Sequence, residues 1–135
     1  MSSDASILIV EDEEQLVRML RSSLVYAGYS VSAARTGQEA LAALHSQKFD
    51  VMLLDLGLPD IDGQDIIVTT RAFSKTPIIV VSARSSEKEK ITALDRGAND
   101  YVAKPFDMGE LLARIRVALR MGEERAAAAN SSGRL

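Results

Sequence analysis

Three apolar runs, each closed by an oxygen-bearing side chain, set the limits on how this chain can fold. Ile7-Leu8-Ile9-Val10 leads into Glu11-Asp12, Val51-Met52-Leu53-Leu54 into Asp55, and Ile78-Ile79-Val80-Val81 into Ser82. A run that is apolar throughout, rather than alternating, belongs to a strand covered on both faces, as in the centre of a parallel sheet. A shorter stretch at Tyr101-Val102 precedes Lys104-Pro105. Together the β-rich stretches fall near residues 6–10, 30–34, 50–54, 77–82 and 100–103.

Helical patterns separate these stretches. Leu16, Leu20 and Leu24 recur every fourth residue with Val17 beside them, and Gly28 ends that segment. Thr36 to Glu39 reads as a capping box opening a second helix that carries Leu41 and Leu44. A third helix is expected from about Gly63 to Phe73 and a fourth from Glu87 to Arg96. The fifth opens at Asp107-Met108-Gly109-Glu110, again box-like, and lines up Leu111, Leu112, Ile115 and Leu119. Five βα units with right-handed crossovers predict an α/β fold, a doubly wound five-stranded parallel sheet. Ligands of such sheets sit at the carboxyl ends of the strands, where Glu11, Asp12, Asp55, Ser82 and Lys104 all fall.

Three carboxylates, a hydroxyl and an ammonium at one edge suit a divalent cation and a phosphoryl group. Crowded carboxylates need compensating charge, and Mg²⁺ is a hard cation that takes oxygen ligands while keeping several waters. With Asp12 and Asp55 on the metal and Glu11 holding a metal-bound water, Asp55 can still offer an oxygen to phosphorus, giving an acyl phosphate. Lys104, Ser82 and the metal would neutralise the equatorial oxygens. Taken singly these residues say little. Acidic residues after a strand are often helix caps, a serine there is often a turn residue, and a lysine is often only solvated. Their joint order is the specific signal.

The bulk properties bound the rest. The chain has 135 residues, 47% of them apolar, and 16 basic against 19 acidic side chains for a net charge of −3. That fits one compact domain and disfavours general nucleic-acid binding. No apolar run approaches the roughly 20 residues of a membrane span, and the start lacks an export signal. Without cysteine there is neither disulfide nor thiolate metal site, compatible with a cytoplasmic location. From Gly122 onward no apolar periodicity remains, so residues 1–121 read as the domain and 122–135 as a linker or tail. His45, beside Leu44 with no acid or base near it in sequence, reads as a surface histidine.

The motifs Ile7-Leu8-Ile9-Val10-Glu11-Asp12-Glu13, Leu54 to Gly63, Val81-Ser82-Ala83-Arg84 and Gly97 to Phe106 resemble the CheY-like response-regulator receiver domain, over about Ser6 to Arg120. The resemblance implies that Asp55 is the phosphoacceptor, that Glu11, Asp12 and Asp55 with the Gly57 carbonyl hold Mg²⁺, and that Ser82, Tyr101 and Lys104 form the switch and phosphate contacts. It also implies a cis bond before Pro105 and a sensor histidine kinase as partner. Self-catalysed phosphoryl acceptance, rather than enzymatic turnover, is the implied activity.

From Ala83 to Arg120 the chain is similar to the OmpR/PhoB class, and within it to regulators of potassium-uptake genes. That class carries a C-terminal winged-helix DNA-binding domain, so DNA contact would come only through a domain outside this chain; a stand-alone receiver is the alternative. The class also implies a homodimer through the fourth helix (Lys90, Asp95), the fifth strand (Asp100) and the fifth helix (Glu110, Arg114, Arg116, Arg120), with Ile91, Leu94 and Ala98 as its apolar centre. Lys90 would pair with Glu110, and Asp100 with Arg114. Asn99 departs from the aspartate usual there, and Gly57 leaves the phosphate without side-chain shielding.

Two other classes fit less well. A haloacid-dehalogenase-type phosphatase would need a second carboxylate two residues after Asp55, where Gly57 stands. A flavodoxin-like FMN carrier would need a Ser/Thr/Gly-rich loop after the first strand, where Glu11-Asp12-Glu13-Glu14 would repel phosphate.

Overall fold

The computed structural model describes residues 4–133. Five βα units follow one another: β1 (Ser6–Val10), α1 (Glu14–Tyr26), β2 (Ser30–Ala34), α2 (Gly37–Ser46), β3 (Val51–Leu54), α3 (Gly63–Arg71), β4 (Ile78–Ser82), α4 (Glu87–Arg96), β5 (Asp100–Ala103) and α5 (Met108–Gly133). All pairings are parallel, in the order β2-β1-β3-β4-β5.

The continuously apolar runs are the three central strands, and their alternate residues feed two cores. Ile7, Ile9, Leu53 and Val81 pack with Val17, Leu20 and Leu24 of α1 and Leu111 and Ile115 of α5. Leu8, Val10, Leu54 and Val80 pack on the other face with Leu44 of α2, Ile66 and Ile67 of α3 and Ala93 of α4. Period-two side-chain alternation between two covered faces therefore explains why residues 7–10, 51–54 and 78–81 are apolar without interruption.

The chain leaves β1 for β2 on one side and returns to place β3 on the other. The strand order thus reverses between β1 and β3, the place where an open α/β sheet parts its loops. Val10 pairs with Leu54 there, and the Asp55 amide donates to the Val10 carbonyl (3.0 Å). Glu11 and Asp55 are the next residues out on the two strands.

Local signals operate with some changes. Gly28 (φ +101°) closes α1, as its positive φ requires. Thr36 Oγ1 accepts from Glu39 N (3.0 Å), but the Glu39 carboxylate accepts from Arg35 N rather than completing the box on Thr36. Asp107 likewise caps α5 by accepting from Gly109 N and Glu110 N, while the Glu110 carboxylate binds Arg114 instead.

The segment read as a linker is helical: α5 continues through Gly133. Apolar periodicity reports packing, not helicity. Arg125 followed by four alanines propagates easily from a helix already nucleated. Residues 123–128 are indeed exposed. The side-chain placement from residue 129 on, and Arg134 and Leu135, lie outside what is described.

Candidate functional site

The switch point gathers the predicted acidic residues. Carboxylate oxygens of Glu11, Asp12 and Asp55 lie within 4.8 Å of one another. Glu11 and Asp55 are buried, whereas Asp12 is exposed. β5 delivers Lys104, whose Nζ donates to Glu11 Oε1 (2.8 Å) and lies 3.7 Å from Asp55 Oδ2. The Lys104–Pro105 bond is cis.

Burial pushes the Glu11 carboxyl above its usual range, and the Asp55 charge adds to that; the Lys104 hydrogen bond and Glu13 N oppose it. Burial alone would lower Lys104, but the Glu11 hydrogen bond and the Asp55 charge outweigh it and hold the ammonium above its ordinary value. One cation thus faces three carboxylates. Both Glu11 oxygens already accept hydrogen bonds, Oε1 from Lys104 and Oε2 from Glu13 N (3.1 Å). Among the described residues, the Asp12 and Asp55 carboxylates accept none. The donor set fits a hard divalent cation, with Asp12 and Asp55 the more available direct ligands and Glu11 suited to hold a metal-bound water. Gly57 is exposed, and a Cβ there would meet only Asp55 Oδ2 (3.9 Å), so the approach to Asp55 is open on that side.

Ser82, at the end of β4, is buried, and its Oγ accepts from Arg84 N (3.2 Å). Tyr101 on β5 is turned inward, its hydroxyl donating to the Arg84 carbonyl. Burial raises its phenol pKa, and the Glu89 charge adds to the effect.

The proposed dimer face is only partly as expected. Ile91 (52% exposed) and Leu94 (45%) stand out on α4, but Ala98 (7%) is withdrawn into the core and offers no apolar surface. It follows the helix-ending Gly97 (φ +125°), which turns the chain back toward the sheet. Asp100 and Arg114, expected to pair between chains, pair within one: Nη1 donates to both carboxylate oxygens (3.1 and 2.9 Å), and Nη2 donates to Glu110 (2.9 Å). Their one-strand, one-helix separation places them side by side. Asn99 is a structural acceptor, its Oδ1 taking hydrogen bonds from Ile78 N (2.8 Å) and Arg71 Nη2 (2.9 Å). His45 is exposed, as expected, and stacks on Phe73 with ring centroids 3.9 Å apart.

Sequence reasoning gave no role to Asp60, Asp62, Gln64, Arg84 or Glu89. Asp60 caps α2 from a distance, accepting from Gly37 N and Gln38 N. The other four tie α3 to α4. Asp62 and Arg84 lay inside recognisable motifs, but nothing in their spacing showed that they would meet.

A doubly wound sheet with an acidic pocket at its β1/β3 switch point and a lysine from β5 defines the class, and the chain belongs to the response regulator receiver domain family, matching it over residues 7–116. It is a receiver domain of a two-component response regulator, similar to KdpE-type transcriptional regulators. The KDP operon transcriptional regulatory protein KdpE of Escherichia coli is 52% identical over 115 residues, which cover 85% of this chain and 51% of that protein. The chain therefore spans about half the length of the curated relatives it matches. A CheY-like receiver domain from Methanospirillum hungatei superposes with TM-score 0.87 at 29% identity, covering 91% of this chain and 99% of that one. The response regulator TrrA of Thermotoga maritima, in complex with Mg²⁺ and a beryllium fluoride, gives TM-score 0.78 at 29% identity, over 85% and 99%. Among the described residues no helix is long and apolar enough to cross a membrane.

Proposed function

We propose that Asp55 accepts a phosphoryl group from the phosphohistidine of a sensor histidine kinase, with Mg²⁺ as the required cation. One observation carries this reading: a buried Asp55 carboxylate, which accepts no hydrogen bond among the described residues, stands beside two further carboxylates and the Lys104 ammonium at the switch point. An Asp55 oxygen attacks phosphorus as the P–N bond breaks, and the released imidazole takes up a proton. Lys104, whose Nζ lies 3.7 Å from Asp55 Oδ2, would pair with a phosphoryl oxygen, and the Ser82 hydroxyl would donate to another. Bound Mg²⁺, held by Asp12, Asp55, the Gly57 carbonyl and Glu11, would supply positive charge to the transferring group. The chain is an acceptor that catalyses its own phosphorylation, not a turnover enzyme.

The likeness to KdpE supports an output role. Phosphorylation would control a winged-helix DNA-binding domain outside this chain, acting on potassium-transport genes, in the cytoplasm. Activation would favour a homodimer through α4, β5 and α5, with Ile91 and Leu94 as apolar contacts and Lys90, Asp95, Asp100, Glu110, Arg114, Arg116 and Arg120 as the charged surround.

Incubation with acetyl phosphate and Mg²⁺ is expected to add one phosphate by intact mass. Chelation should suppress the addition and Asp55→Asn should abolish it. Equal labelling of the Asn variant would remove the assignment.

A further inference from the structure

We propose that Arg84 is a positioning residue, a latch that holds the β4–α4 loop and Tyr101 in the turned-in arrangement before any phosphoryl group arrives. The guanidinium reaches across from the loop after β4 to the backbone that follows the phosphoacceptor. Its Nη2 donates to the Leu56 carbonyl (3.1 Å) and to Asp62 Oδ2 (2.9 Å), and its Nη1 lies 3.7 Å from Glu89 Oε2. The same residue's carbonyl accepts from the Tyr101 hydroxyl, and its amide donates to Ser82 Oγ. One residue therefore joins the position after Asp55, the first turn of α4, the switch serine and the aromatic on β5.

The ground on which the latch closes is itself rigid. The Leu56 carbonyl also accepts from Gly63 N (2.8 Å), and a Cβ at Gly63 would stand 2.5 Å from Leu56 Cα, so α3 begins in direct contact with that backbone. Asp62 caps α3 through Gln64 N (2.9 Å) with one oxygen and holds Arg84 with the other. Gln64, only 7% exposed, donates its amide to both the carbonyl (3.1 Å) and the carboxylate (3.0 Å) of Glu89 on α4. The Arg84 hydrogen bond to Asp62 raises the guanidinium pKa further, so the latch stays charged at any physiological pH.

A ligand shifts a two-state equilibrium only by its differential affinity for the two states. A loop latched turned-in leaves phosphorylation less to change at α4 and β5, and releasing the latch should enlarge the response. The latch rests on the receiver reading for its purpose, but its conformational claim can be tested without phosphorylation.

Tyr101 can be read by ¹⁹F NMR of the full chain labelled with 3-fluorotyrosine, its resonance assigned by loss in Tyr101→Phe. In the unphosphorylated wild type this resonance should be shielded from a soluble paramagnetic probe. Arg84→Met, which keeps the apolar stem, should raise its paramagnetic broadening at least threefold, and Asp62→Ala should move it in the same direction. Beryllofluoride with Mg²⁺ should return Arg84→Met toward the wild-type signal and should shift its α4 and β5 amides more than it shifts those of wild type. Broadening in Arg84→Met equal to wild type, or a Tyr101 already open to the probe in wild type, would overturn the latch. Failure of acetyl phosphate to label Asp55 would instead count against the receiver reading and leave the Tyr101 result standing on its own.

Discussion

At the carboxyl edge of the sheet three carboxylates share one ammonium, whereas on the α4–β5–α5 face the single Arg114 meets two carboxylates. The first group includes buried Glu11 and Asp55, where water cannot screen repulsion and each charge needs a partner. The second is solvated, and its ion pairs close within one chain. The edge is short of positive charge and gains from a cation and a phosphoryl ligand, while the face is already satisfied and gains little from any single new contact.

Removing the one cation at the edge should have the larger effect. Lys104→Met is expected to destabilise the metal-free protein by about 2–3 kcal/mol at pH 7, because it leaves buried carboxylates uncompensated. Added Mg²⁺ should recover part of that loss, and chemical denaturation with and without the ion checks it. The penalty should shrink on acidification. Native Glu11 has its pKa raised by burial, so between the unfolded value and the raised one the folded state holds more protons. The stability Glu11 contributes therefore falls as pH rises through its native pKa, and a protonated Glu11 no longer needs Lys104. A penalty unchanged between pH 7 and about pH 4.5 would erase the contrast between the two regions.

Asn99 offers an intermediate case. Its Oδ1 holds both Ile78 N and Arg71, so Asn99→Leu should cost about 2 kcal/mol by leaving those donors unpaired. Asn99→Asp keeps the acceptor and should cost under about 1 kcal/mol. Equal losses in the two variants, measured by urea denaturation, would show that the amide oxygen is not what matters.

Ser82→Ala should still accept phosphate on Asp55 but show a smaller amide-shift response in α4 and β5 to beryllofluoride, since the buried hydroxyl that would reach a phosphoryl oxygen is gone. A response equal to wild type would separate Ser82 from the switch.

The smallest effect belongs to the exposed face. Arg114→Ala should lower monomer stability by at most about 1 kcal/mol, as exposed pairs do. Arg114→Glu should reduce the dimer fraction that beryllofluoride induces, read by light scattering. A molar mass that the mimic leaves unchanged at high micromolar protein would remove the dimer altogether.

Much of the edge was legible beforehand because strands end abruptly. Glu11, Asp12, Asp55 and Ser82 each follow an unbroken apolar run, and period-two burial fixes where such a run must stop. Parallel pairing then brings those stops to one side. The face was less legible. Ala98 looked available beside Ile91 and Leu94, yet the turn at Gly97 carries it into the core. The tail looked loose because nothing in it packs, yet helix propagation needs no packing partner.

The order of apolar and polar residues along the chain dictates the five βα units, the two-sided burial of β1, β3 and β4, and the presence of oxygen ligands and a lysine at the strand ends. Which charges meet is set by how the elements pack. Arg84 lies 22 residues from Asp62 and 28 from Leu56, and Lys104 lies 93 from Glu11. Hydrophobic patterning acts through local period and burial, which a chain displays residue by residue. A hydrogen bond instead depends on angles and distances of a few tenths of an ångström between side chains from different elements, and these exist only once the sheet order and helix packing have been set.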